Sequence, residues 1–158
     1  MKKGSKVLCL TVAAVAGDAG RRLGEAMDDT TIRTAVDLWF SNRAAAMATY
    51  GHVSTWETRG VTNISYLFCA HELFSSCNPA AESFDDDVGA WDTSRVTDMS
   101  YMFAGCPNFN QDIGDWRLDR VTDMRGMFDG AEWFDQDLGW CVADDANLDD
   151  AFSASGCE

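Results

Sequence analysis

Carboxylates recur along this sequence at fixed intervals. Asp87, Asp112 and Asp137 hold equivalent places in the segments Phe84 to Gly89, Phe109 to Gly114 and Phe134 to Gly139, and Asp85, Asn110 and Asp135 form a second set. If these segments stack, the sets become acidic columns at the roughly 4.8 Å spacing of neighbouring strands. Like charges that close must be hydrated, hydrogen-bonded or bridged by a cation, and calcium takes carboxylate oxygens. Ile113, however, stands where a calcium loop needs glycine, and no glycine-rich nonapeptide occurs. The columns therefore read as caps on loop backbone or as hydrated acids, with calcium at Asp87, Asp112 and Asp137 the alternative.

Other chemistry is sparse. His52 and His71 are the only histidines and no Cys-x-x-Cys occurs, which leaves no metal-ligand spacing. A carboxylate pair of the glycosidase kind is conceivable, but the repeat itself explains the acids, and no nucleophile-His-acid set or phosphate loop stands out. The chain reads as a non-enzyme without a cofactor. Asn63-Ile64-Ser65 is a glycosylation sequon, though Asn63 equally reads as an N-cap. Of the six cysteines, Cys9 lies in an N-terminal apolar run. Cys141 and Cys157 bracket the last repeat, and a bridge between them closes a loop worth on the order of 3 kcal/mol. Cys77 follows Phe74 as Cys106 follows Phe103, which puts both in one small buried slot as thiols; pairing of Cys69 with Cys77 is the alternative.

What positions these residues is a repeat. Trp91, Val96, Met99, Met102 and Phe103 recur as Trp116, Val121, Met124, Met127 and Phe128, and upstream as Trp56, Val61, Ile64, Leu67 and Phe68. A degraded copy runs from Trp140 to Phe152, and Trp to Phe is twelve positions in all four. The Trp-to-Trp steps are 35, 25 and 24 residues, with the excess of the first lying at Cys69 to Glu82. Each Val-Thr-Asp-Met-x-x-Met-Phe places its apolar residues on one helical face, with Thr97 or Asp98 and Thr122 or Asp123 as N-caps. Phe109 to Trp116 reads as a short strand and loop. One short strand and one short helix per coil predict an α/β, leucine-rich-repeat-like solenoid over residues 52–152, of three full coils plus one partial. Its predicted core includes Trp56, Phe68, Trp91, Met99, Phe103, Trp116, Met124, Phe128, Trp140 and Phe152.

The ends complete this organisation. Lys2, Lys3 and Lys6, then the apolar run Val7 to Ala16 with small residues at its close, resemble a signal peptide over 1–16, followed by a linker over 17–27. In the segment 28–51, Ile32, Ala35, Val36, Trp39 and Phe40 form one helical stripe, and a second helix covers Ala44 to Tyr50 with Gly51 as its stop. A helical cap over the open first coil is the expected role. Residues 153–158 are the C-terminal cap.

The phrase Trp-Asp-Thr-Ser-x-Val-Thr-Asp-Met-x-x-Met-Phe followed by Phe-Asn-Gln-Asp-Ile resembles the BspA-like bacterial surface protein repeat, a leucine-rich-repeat relative also found in mycoplasma lipoproteins and in algal proteins of unknown function. The resemblance runs from Tyr50 to about Phe152. It departs from the pattern at the insertion after Phe68, at Arg117-Leu118 in place of Asp-Thr, and in the eroded fourth copy. It implies a secreted or surface-anchored protein, adhesion in some members, and no shared catalytic residues.

Charge narrows the partners. The chain carries a net charge of −14, and cleavage after Ala16 removes three lysines and no acid. Nucleic acid and anionic lipid are excluded as partners, and no transmembrane segment remains after cleavage. The expected role is a secreted or cell-surface recognition or adhesion module that binds a protein or glycan. The alternative is a structural module that assembles into an extracellular or cell-covering layer.

Overall fold

In the computed structural model, which describes residues 25–157, the chain begins with two helices and continues as stacked irregular coils. Helix α1, Asp29–Ser41, starts where the Asp28 carboxylate accepts from Thr31 N at 2.8 Å. Its stripe of Ile32, Ala35, Val36 and Trp39 is buried. Asn42 ends it and opens α2, Arg43–Tyr50, by accepting from Ala45 N. Gly51, at φ 80°, stops α2.

The expected α/β leucine-rich-repeat-like solenoid does not form. Both α-helices precede the repeats, and among the described residues there is no sheet. Only the isolated parallel bridges Asn63–Asp98, Asp98–Asp123 and Asp123–Asn147 join the coils. The predicted repeat helices are turns instead. Met102 N donates back to Met99 O, Ala104 N to Tyr101 O and Cys106 N to Phe103 O, each three residues earlier. The amides between them reach across the stack: Met99, Tyr101, Phe103 and Gly105 donate to Asp123, Arg125, Met127 and Asp129 O at 2.8–2.9 Å. Half the donors of a helix are thus spent on the next coil.

A reversal of backbone hand makes this possible. Tyr66, Tyr101, Gly126 and Asp150, at one repeat position, all have φ between 55° and 59°. Mixing left- and right-handed residues aims alternate N–H groups the same way, at a steric cost of roughly 1–2 kcal/mol for each non-glycine. Gly126 also makes room for its neighbour, because a Cβ there would lie 2.3 Å from the Tyr101 ring.

The core is a set of aromatic columns. Trp56, Phe68, Trp91, Met99, Phe103, Trp116, Met124 and Phe128 are all buried, while Trp140 and Phe152 pack partly buried at the far end. Phe68, Phe103 and Phe128 stack at 5.7 Å, beside the parallel column Phe84, Phe109 and Phe134.

Helix α1 closes the first coil through two side chains one turn apart. In later coils Thr97 N and Thr122 N donate to the preceding coil, at Thr62 O and Thr97 O. Thr62 has no preceding coil, and the Asp29 carboxylate accepts from its N, its Oγ1 and Asn63 N at 2.6, 2.7 and 3.1 Å. Arg33 donates to Ser65 O and to Asn63 O, carbonyls that face the same open side.

The ten-residue excess after the first coil is an excursion pinned by a Cys69–Cys77 disulfide and closed by a 3-10 turn, Pro79–Ser83. Replacing both cysteines by serine is expected to cost about 2.5 kcal/mol, the chain-entropy value for so short a loop. Chemical unfolding of the oxidised and doubly substituted proteins measures it, and equal midpoints would deny the bridge a structural role.

Candidate functional site

The acidic columns are built for the backbone. Asp87 and Asp112 accept from Gly89 N and Gly114 N, two residues on. Among the described residues no three acids, cysteines or histidines gather where they could hold a metal ion, so Asp87, Asp112 and Asp137 do not assemble the calcium alternative. The second column ties coils together: Asp85 accepts from Asn110 N and Gln111 Nε2, and Asn110 in turn from Asp135 N and Gln136 Nε2. Gln111 and Gln136 are therefore structural clamps whose role the sequence did not announce.

Asn63 is committed in the same way. Its Nδ2 donates to Asp98 at 3.1 Å and its Oδ1 accepts from Arg33 and from the Ser65 amide and hydroxyl. A glycan at this nitrogen would break the contact to Asp98. The expected bridge between Cys141 and Cys157 is not formed. Both are free and exposed, and Cys157 Sγ turns instead to Phe134 O at 3.2 Å. Cys106 is a buried thiol bonded to Phe68 O, and burial pushes its pKa up to about 12, leaving it unreactive at neutral pH. The expected slot-mate Cys77 is in the disulfide. The signal-peptide reading of 1–16, Cys9 and most of the linker lie outside the described residues.

One constellation has the residue types of an acyl-transfer triad. His52 Nδ1 lies 2.9 Å from Ser54 Oγ, with Asp86 3.9 Å from Nε2. The same Nδ1 also accepts from Ser54 N, as the cap of a 3-10 turn at Val53–Thr55. Asp86 is taken by Arg43 at 2.6 Å and by Trp39 Nε1 at 3.1 Å. These contacts fasten the helices to the coil edge.

An arginine-lined cleft lies between the second and third coils. It encloses about 450 Å³ and is lined by Ser94, Arg95, Arg117, Asp119 and Arg120. Arg95 and Arg120 hold the same repeat slot, four residues after Trp91 and Trp116. Arg117 stands in the slot that Glu57 and Asp92 occupy in earlier coils. Buried Thr93 fixes the floor: its hydroxyl accepts from Arg117 N at 2.8 Å and donates to Arg117 O at 3.1 Å. Leu118, in the position of Thr93, is buried, which leaves Arg117 on the rim.

Asp119 pairs with Arg117 at 2.7 Å, whereas Arg95 and Arg120 have no ion pair among the described residues. The cleft is thus locally cationic on a strongly acidic chain. Nearby, hydrogen bonds from the Ser94 side chain and amide hold the pKa of Asp92 below its usual value, opposed by burial and aided to a smaller extent by Arg117 and Arg59. Planar guanidinium groups bind carboxylate, sulfate and phosphate oxygens in pairs. Averaging charge over the chain hides this local reversal. The signal for it was the departure Arg117-Leu118.

Among the described residues no helix is long and apolar enough to cross a membrane. No curated protein and no solved structure matches the chain. Residues 34–156 match the family described as Mycoplasma protein of unknown function, DUF285. That match takes in α2, the coils and the cleft, and the chain belongs to the DUF285 family.

Proposed function

We propose that this protein is a non-catalytic recognition module, secreted or held at a cell surface, that binds a protein or glycan by its compact acidic groups. The arginine cleft is the observation that carries the reading. Two guanidiniums that have no ion pair among the described residues, beside a paired third, present directed donors on a rigid floor. The Cys69–Cys77 disulfide suits an oxidising compartment. The lysine-rich apolar N-terminus and the resemblance to BspA-like surface repeats agree with display outside the cell.

The acidic remainder of the surface disfavours extended polyanions but not a single carboxylate or sulfate group. Interactions longer than a Debye length, ~8 Å at physiological salt, are screened. An array of acidic glycans and acidic peptides tests the proposal. A hit should lose about 10- to 100-fold in affinity when Arg95→Ala and Arg120→Ala are combined, at roughly 1.5–3 kcal/mol for a charged hydrogen bond. An array hit whose affinity is unchanged in that double variant, or an array without hits, rejects the cleft as the recognition site.

A further inference from the structure

Two tyrosines stand where the backbone resists them. Tyr66 and Tyr101, at φ 59° and 55°, fill the left-handed slot that holds Gly126 and Asp150 in the later coils. A bulky residue there is strained, and hydrogen bonds between coils hold it in place: Tyr66 N donates to Ser100 O at 2.9 Å and Tyr101 N to Arg125 O at 2.8 Å. The result is a pair of rings on adjacent coils, stacked with centroids 5.0 Å apart and planes 22° from parallel. Phe74 of the excursion lies 5.0 Å from the Tyr101 ring and 6.0 Å from that of Tyr66, which limits how far either swings. The Cδ1–Cε1 edge of Tyr101 lies over Gly126, and the Arg125 guanidinium stands 5.9 Å from the ring centre.

Both residues are half-buried, so solvent reaches them. The chain has three tyrosines, and the third, Tyr50, is buried against Trp56 at 6.2 Å. Carbon atoms in contact lie ~3.5–4 Å apart, so near-parallel rings with centroids 5.0 Å apart are slipped sideways, which brings their edges together. That separation is little more than the one between two directly bonded phenol rings. We infer that Tyr66 and Tyr101 are a site of oxidative cross-linking, at which a haem peroxidase using hydrogen peroxide joins them as dityrosine and fastens the first coil to the second.

The reaction balances within this pair. Each phenol gives up its O–H proton and one electron, and the two protons and two electrons reduce one hydrogen peroxide to two waters. The tyrosyl radicals join through a new carbon–carbon bond between ring positions ortho to oxygen. Each of those carbons then loses its hydrogen as a proton while its oxygen regains one, which restores both phenols. Coupling within one molecule is favoured, because partners held in contact react at an effective concentration that dissolved protein does not reach. The strain accepted at both positions fits a use that needs these two side chains here. The Cys69–Cys77 disulfide suits the oxidising setting that the reaction requires.

The test treats the full chain, its exposed thiols alkylated, with a haem peroxidase and limiting hydrogen peroxide at micromolar protein. Expected is a fluorescent monomer that has lost one hydrogen from each of the two tyrosines and that yields, on proteolysis, a peptide pair joined through Tyr66 and Tyr101. Tyr66→Phe and Tyr101→Phe keep the stack but remove one phenol, and each should lower the monomer's dityrosine signal about tenfold or more. Their unfolding midpoints before treatment should match the parent's, and only the parent's should rise on treatment. Cross-links confined to dimers, or dityrosine retained in either variant, overturn the inference. So does capping of both tyrosines by added N-acetyltyrosine in place of the internal bond, or parent protein left unmodified under conditions that couple N-acetyltyrosine to itself.

Discussion

Phe103→Ala is expected to lower the unfolding free energy by about 4 kcal/mol, near the middle of the range for losing a buried phenylalanine. The ring is fully buried and sits where both phenylalanine columns meet. It stacks on Phe109 at 3.8 Å, on Phe68 and Phe128 at 5.7 Å, and lies 6.2 Å from Trp116. Each aligned aromatic pair contributes roughly 0.5–1.5 kcal/mol beyond area burial. Neighbouring rings cannot close the void, because the interlocked hydrogen bonds fix the distance between coils. Phe152 occupies the same slot at the open end, half-buried against Phe128 at 5.3 Å. Phe152→Ala should cost less than half as much. Denaturant unfolding of both variants decides the matter: equal losses would mean that the column is not a continuous core.

The contrast between those positions was legible in the sequence, because a repeat puts equivalent residues in equivalent places. The twelve-residue step from tryptophan to phenylalanine located the core, and the stripe from Ile32 to Trp39 located α1. Secondary structure within the coil was not legible. Met99, Met102 and Phe103 have helical spacing, but a turn whose amide donates three residues back produces the same one-sided pattern. What separates the two is where the other amides go, and a partner 24 residues distant leaves no local mark. Tyrosine in the left-handed conformation at 66 and 101 contradicts intrinsic preference, and only Gly126 at the same slot hinted at it. The aspartate columns read in the sequence as caps on loop backbone, as Asp87 and Asp112 are, whereas the ties that Asp85 and Asn110 make to the next coil left no local mark. The arginine cleft was missed for a related reason. A net charge sums over the molecule, whereas Arg95, Arg117 and Arg120 act together only because one coil lies on the next.

Asp29→Ala is the substitution expected to open the stack from its other end, at a cost of about 2–3 kcal/mol. Removing the carboxylate leaves Thr62 N and Asn63 N without their acceptor, and an orphaned buried donor costs roughly 1–3 kcal/mol. Arg33, which donates to the Asn63 and Ser65 carbonyls, also loses a nearby opposite charge. Burial raises the pKa of Asp29, but the hydrogen bonds from Thr62 and Asn63 and the charge of Arg33 outweigh it, holding the value below 3.8. A carboxylate depressed in the folded state stabilises fully above its unfolded pKa, and that contribution is lost as pH falls through the folded value. Stability of the parent should therefore fall between about pH 4 and the lower folded pKa by more than that of Asp29→Asn, which keeps the shape but cannot titrate. Parallel acid unfolding curves for the two proteins would mean that this carboxylate does not anchor α1. A steeper parent curve, together with exchange of the Thr62 and Asn63 amides accelerated in Asp29→Ala, would show that one acid replaces the hydrogen bonds of a missing coil.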